Sequence, residues 1–329
     1  MPGLFQIIRK KPDNILGMRR LVYDNDHPAS DLPRSFDRWR PAADSGWESA
    51  GKNGFRNSGE GDSEVRWLRY HHLLRTYGGQ PSLITDFMGY NTWEGGLHSG
   101  APGENWASDL ILECEVQVEK AAGEVVLEVA KGTDLFRARF DVASGACTLT
   151  RVRDADQGEK TEEELAAKPT GLKGKGTYRV RLANVDDRLV VWVDNHLPFD
   201  DGVPYEPSKR FFPTAENDLG RPASVGVKGA AVSVHRLKLY RDTYYTACQG
   251  GSPSRPDVDL RWERPGNWRE EFERRPVLTM YVQPGHFLCL GDNSPESSDG
   301  RSWGTVPRRL LLGRALLVYY PFNRAGRIR

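Results

Sequence analysis

Apolar and polar residues alternate most regularly between residues 108 and 241. In the run "DLILECEVQVEK", Leu110, Leu112, Cys114, Val116 and Val118 share one side, while Ile111, Glu113, Glu115, Gln117 and Glu119 share the other. A period of two is the mark of a strand with one buried face. The same pattern returns in "GEVVLEVAKG", "DLFRARFDVASG", "ACTLTRVRD", "ASVGVKG" and "AVSVHRLKLYRDTYYT". In "TYRVRLANVDDRLVVWVDN" two such runs flank Asn184, Asp186 and Asp187, which supply a turn. Short strands at this spacing predict a two-sheet sandwich.

Outside this region the pattern is weaker. Residues 14–26 place Ile15, Met18, Leu21 and Val22 at helical spacing, predicting a short amphipathic helix or a helix-to-strand element. Residues 64–77 read as a strand with Val65, Trp67 and Leu68 packed inward. The rest of the first hundred residues is rich in turn formers and reads as loops wrapped around something else. The charged stretch 154–176 reads as a solvated excursion, with a helical turn at "TEEELAAK" capped by Thr161 and Glu164. Residues 242–275 read as a linker.

Composition supports strands and turns over long helices: the 329 residues include 34 glycines, 21 prolines and 33 aromatics. Basic and acidic residues number 46 and 45, so no global field draws the chain to nucleic acid. No apolar run is long enough to span a membrane, and the first twenty residues show no signal-peptide pattern. Cys114, Cys147, Cys248 and Cys289 form no C-x-x-C pair; a Cys114–Cys147 bridge between neighbouring strands stays open as an alternative to reduced thiols.

Candidate chemistry within the sandwich is sparse. Glu124 and Glu128 lie on one strand face, where a glycosidase pair is less expected than a solvated surface. Trp93, Trp106 and Trp192 could stack on sugars, with Trp192 more naturally a core residue. The histidines, His71, His72, His98, His196 and His235, show no ligand spacing, and Asp186, Asp187, Asp194 and Asn195 are explained as turn residues without calcium. No metal or cofactor is expected.

The segment 281–322 carries the most specific signal. Gly291, Asp292, Asn293, Ser297, Asp299, Arg301, Trp303, Gly304, Val306 and Pro307 fall at fixed spacing, with Pro284 and Gly285 before them and Gly313, Arg314 and Ala315 after. This block resembles the last signature of bacterial type I signal peptidases, with Ser294, Pro295 and Glu296 replacing its commonest residues. The "FQIIRKKPDNILGMRRLVYDNDH" stretch is similar to one in long forms of that family.

The resemblance implies a serine endopeptidase that removes signal peptides from exported proteins at the outer face of the membrane. It implies that Ser297 orients a catalytic lysine, that Asp299 and Arg301 pair to hold the loop, and that Gly291, Asp292, Asn293 and Trp303 support it. Neither the S-M-x-P-T nucleophile motif nor the K-R-x-x-G-x-P-G lysine motif occurs in the sequence. The expectation is therefore an all-β chain: a concanavalin- or laminin-G-like jelly roll inserted into part of a signal-peptidase-like β-domain. The expected divisions are 1–103, 104–243 for the sandwich, 244–275 for the linker and 276–329 for the signature block. The expected form is truncated or inactive, with signal peptides as partners only if completed by the missing half. A non-catalytic module binding glycan or protein is the alternative.

Overall fold

A computed structural model describes residues 9–59, 64–74, 79–87, 105–154, 160–208, 211–245, 266, 268–273, 280–291, 297–313 and 315–327. The chain begins with a short helix, α1 (Pro12–Met18), and a strand, β1 (Arg20–Asp24). This is the helix-to-strand element predicted for residues 14–26. Four short strands follow: β2 (Trp39–Pro41), β3 (Trp47–Ala50), β4 (Gly54–Asn57) and β5 (Arg66–Tyr70). The longer strands are β6 (Leu110–Val118), β7 (Glu124–Lys131), β8 (Asp134–Asp141), β9 (Ala146–Asp154), β10 (Lys160–Pro169), β11 (Gly176–Asn184) and β12 (Arg188–Val193). After a two-residue β13 (Val203–Pro204) come β14 (Ala223–Lys228) and β15 (Val232–Arg241).

These strands build two antiparallel sheets. One runs β13-β12-β11-β6-β15-β4-β3, with β1 also paired to β15, and the other β10-β9-β8-β7-β14-β5-β2. A single core lies between them: Leu110, Leu112, Cys114, Val116 and Val118 from β6 meet Val125, Leu127 and Val129 from β7. The alternation in β6 thus places Leu110, Leu112, Cys114, Val116 and Val118 in the core as predicted, although Ile111 and Glu113 on its other face are also buried, and the fold is all-β. Cys114 and Cys147 are both buried free thiols, and burial raises their pKa.

Three expectations need correction. The helical turn at 161–168 is instead β10, an edge strand whose acidic side chains pair across to β8 and β9, as in Arg137–Glu162, Arg139–Glu162 and Arg153–Glu163. Charge on both faces hid its period, and an exposed charged edge is a guard against strand-to-strand aggregation. In β5 the inward residues are Leu68 and Tyr70; Trp67 turns outward, lying beside the Arg137 guanidinium and across Gly226. Finally, strands β1 to β5, expected outside the sandwich with β2 to β4 as loops, belong to its two sheets. β1 and β4 pair with β15, and β5 pairs with β14, bringing Trp39, Trp47, Leu68 and Tyr70 into the shared core. Residues 4–8, expected to pair near 315–322, lie outside the described residues.

The ingoing and outgoing chains run side by side. Arg20 is opposite Arg241 in the β1–β15 ladder, and Thr243 Oγ1 donates to the Met18 carbonyl at 2.7 Å. Within the stretch read as a linker, Trp268 opens a second helix, α2 (Trp268–Glu273), and is fully buried with Leu83 and Trp106.

His72 is buried beside the Tyr70 hydroxyl, 3.0 Å from Nδ1, and burial, reinforced by the Arg38 charge, lowers its pKa from 6.5 to about 3. The folded value lies below the unfolded one, so between those values the unfolded chain takes up a proton that the folded chain refuses. This group therefore makes stability fall as pH drops from 6.5 towards 3, by at most about 1.4 kcal/mol per pH unit. Urea titrations of wild type and His72→Gln at several pH values in that window should show the shallower slope in the variant; equal slopes would contradict the assignment.

Candidate functional site

Two places concentrate chemistry, and the first is the signature block. A hairpin of β16 (His286–Phe287) and β17 (Val306–Pro307) flanks a short helix, α3 (Gly300–Trp303). Asp299 caps that helix and is 3% exposed. Its carboxylate accepts from the Gly291 backbone N–H at 3.0 Å, the Arg301 N–H at 3.0 Å, Arg301 Nε at 2.9 Å and Nη2 at 2.8 Å. The Arg301 hydrogen bonds hold the Asp299 pKa down to about 2, helped by the Gly291 amide.

Two glycines make the loop possible. A Cβ on Gly291 would sit 2.2 Å from Ser297 Oγ, and one on Gly300 would meet the Cys289 carbonyl at 2.8 Å. Asp292 and Asn293 lie outside the described residues. Trp303, expected to pack in the loop, is 53% exposed, because the short α3 turns it away from the clamp. The Arg301 guanidinium also stands 5.4 Å from the Tyr245 ring, so the block touches the chain leaving the sandwich.

Beyond the loop, apolar residues face solvent: Leu310, Leu311, Leu312, Leu316, Leu317, Tyr319, Tyr320 and Phe322 are all exposed. The last strands, β18 (Leu317–Val318) and β19 (Gly326–Arg327), pair only briefly. An apolar stretch of this kind is one half of an interface or of a core.

The second place is the end of the sandwich, where strand ends and turns converge on a cavity of about 490 Å³. Asp186 and Asp187 form the β11–β12 turn with φ of 55° and 51°, a conformation that costs side-chain-bearing residues and that aspartate tolerates better than most. Asp186 accepts from Lys10 Nζ at 2.7 Å and from the Lys10 N–H at 2.9 Å, and its own N–H donates to Asp109 at 2.9 Å. Lys131 Nζ lies 2.8 Å from both Asp109 and Asp187, and Lys10 Nζ lies 2.9 Å from Asp242. Burial opposes the charge on Lys131 and Lys10, but the surrounding aspartates, with Tyr205 adding to the effect at Lys131, overcome it and both pKa values rise. Burial raises the Asp242 pKa although Lys10 opposes it. Asp109, Asp186 and Asp242 bring their oxygens within 4.8 Å of one another. Sequence reasoning saw Asp186 and Asp187 only as a turn; Asp109, Lys131 and Asp242 were missed because they come from separate strand ends.

The other candidates resolve into structure. Glu128 is fully buried and bound to Arg137 Nε at 2.8 Å, and Glu124 pairs with Arg139 at 2.7 Å, so neither stands free as an acid or base. Trp106 and Trp192 are buried, and Trp93 and His98 lie outside the described residues. Asp194 and Asn195 accept from Arg179 and Arg181.

With this geometry in place, comparison with known proteins finds a likeness in a range that includes the block and the last two sandwich strands, β14 and β15. Residues 224–320 match the family model for signal peptidase, peptidase S26. That match spans under a third of the chain. A signal peptidase I of Leptolyngbya laminosa is 48% identical over 47 residues, which is 14% of this chain and 23% of that protein. The signal peptidase I of Buchnera aphidicola is 39% identical over 49 residues, 15% of this chain and 16% of that protein. The chain thus matches less than a quarter of the length of these relatives. Among solved structures, the Bacillus subtilis carbohydrate binding module CBM66 aligns over 61% of this chain and 94% of its own at 11% identity and TM-score 0.37. The Caenorhabditis elegans galectin LEC-6 aligns over 41% and 86% at 12% identity and TM-score 0.27. No helix among the described residues is long and apolar enough to cross a membrane.

Proposed function

We propose that residues 280–327 are the closing loop and strands of a signal peptidase I-type domain, and that the sandwich is a module inserted ahead of them. In this reading the module runs from about residue 19 to 243, wider than the 104–243 expected from sequence, because its ingoing and outgoing strands are neighbours. The chain serves the removal of signal peptides from exported proteins on the extracytoplasmic side of the membrane. It does so only when a serine and lysine, absent as motifs from these 329 residues, are supplied by a segment that packs on the exposed apolar strands. Ser297 then orients the lysine, and Asp299 with Arg301 keeps Ser297 in place.

The observation that carries this reading is the Asp299 clamp, whose carboxylate takes the Gly291 N–H from across the loop and three donors of Arg301, beside residues 310–322 that expose apolar side chains. A clamped carboxylate beside exposed apolar residues suits a partner that completes a core. A lysine acting as base needs burial to stay neutral and an oriented hydroxyl beside it, and such a core would provide the burial.

The test uses a fluorogenic peptide spanning a signal-peptide cleavage site. The purified chain alone should give no turnover. Adding a signal peptidase fragment that carries both motifs but stops before this block should restore cleavage, and Ser297→Ala should lower the restored rate about tenfold or more. Serine-dependent turnover by the chain alone would refute the proposal, and so would failure of the fragment to restore any.

A further inference from the structure

We propose that the cavity at the end of the sandwich, bounded by Asp109, Lys131, Asp242 and Phe211, binds the terminal sugar of a neutral glycan. This site lies outside residues 280–327, on which the peptidase reading rests, although Asp242–Tyr244 fall within the matched range 224–320.

The cavity is built and open. Its 490 Å³ falls in the range of small-molecule sites, and Asp109, Asp186 and Asp187 keep part of their side chains in contact with solvent. Asp242 lines it at 6% exposure, its carboxylate held by Lys10 and the neighbouring Thr243 N–H, with Oδ1 short of a well-aligned donor among the described residues. A buried acceptor short of a donor is costly, and a ligand hydroxyl would supply one. Lys131 directs two of its three N–H bonds to Asp109 and Asp187, leaving one for an oxygen. A hydroxyl donates and accepts at once, and so suits a site that sets acceptors and a donor side by side.

Charge and shape narrow the class. Lys10 and Lys131 offset the carboxylates from inside the cluster, and Arg9 and Arg188 lie beside Asp186. The Lys10 ammonium already bridges Asp186 and Asp242, where a metal ion would have to sit. A neutral ligand therefore fits better than an ion of either sign. Phe211 stands at the rim, 48% exposed, with Trp106 at 5.2 Å and the Lys131 ammonium 5.6 Å from its ring centroid, and Tyr244 also lines the cavity. A half-exposed ring beside carboxylates suits the C–H face of a sugar while its hydroxyls reach into the cavity.

The experiment applies the full chain to a printed array of neutral oligosaccharides and then titrates the best-retained one by calorimetry. Phe211→Ala and Asp242→Asn should each weaken binding tenfold or more. Because Phe211 lies at the surface, its replacement should leave the melting temperature nearly unchanged and so separate a binding loss from unfolding. Trp67→Ala, on the outer face of the sheet that holds β5 and β7 and not among the residues lining the cavity, should bind as wild type. An array with no retained sugar would overturn the proposal, as would binding that survives Phe211→Ala or disappears with Trp67→Ala. Calcium or terbium that raises the melting temperature of wild type but not of Asp242→Asn would replace it with a cation site.

Discussion

Replacing Glu113 with alanine should destabilise the protein by about 3–5 kcal/mol, the largest single loss expected from one side chain. Glu113 lies on the outer face of β6 with its side chain 4% exposed, and it is the common partner of Arg19, Arg179 and Arg181. Burial alone would raise its pKa, but the hydrogen bonds and charges of Arg179 and Arg181 prevail and lower it. The carboxylate is thus ionised in the fold, and removing it strands the Arg181 guanidinium, which is only 5% exposed, without its counter-ion. Chemical denaturation should register the loss as a lower midpoint, and heating as a melting point lower by about 10 °C or more. The double variant Glu113→Leu/Arg181→Leu should recover part of it, since the penalty lies in the orphaned charge and not in the lost attraction. A loss below about 1 kcal/mol in Glu113→Ala would show that water reaches the cluster more freely than the burial implies.

The second large effect concerns boundaries. A fragment of residues 104–243 should fail to fold cooperatively, whereas residues 9–245 should fold. The shorter piece lacks β1, β3 and β4 from one sheet and β2 and β5 from the other. It would expose both the β14 edge and the β15 edge, and lose Trp39, Trp47, Leu68 and Tyr70 from the core. Each large apolar side chain removed from such a core costs about 2–5 kcal/mol, so losing four exceeds the usual total stability of a domain. Circular dichroism with a thermal melt decides the matter. A sharp β-type transition in the 104–243 fragment would mean that the first hundred residues only decorate a self-sufficient sandwich.

The sandwich was legible where strands are long and alternate apolar with polar residues. Leu110 to Val118 declare themselves by alternation, and Asp186–Asp187 by turn chemistry. Strands of three or four residues such as β2 to β4 complete barely two periods, so their pattern cannot be told from loop, and in the five-residue β5 the strand was read but its inward face only at Leu68. What makes them strands is pairing with partners such as β14 and β15, far along the chain. β10 was misread for a different reason: as an edge it needs little apolar surface, and its glutamates mimic a helix surface. The signature loop was readable because its spacing is local, with Gly291, Asp299 and Arg301 all within eleven residues. The end cavity was unreadable because Lys10, Asp109, Lys131, Asp186 and Asp242 meet only after both sheets close.

The side-by-side departure of β1 and β15 also has a mechanical meaning. Tension applied between residues 19 and 243 pulls two antiparallel neighbours apart at their open end. The ladder between them then carries load one rung at a time, beginning at Arg20 and Arg241 with the Thr243 hydroxyl bond, instead of all rungs in shear. Pulled at these two points, the seam between β1 and β15 is loaded by peeling and not by shear.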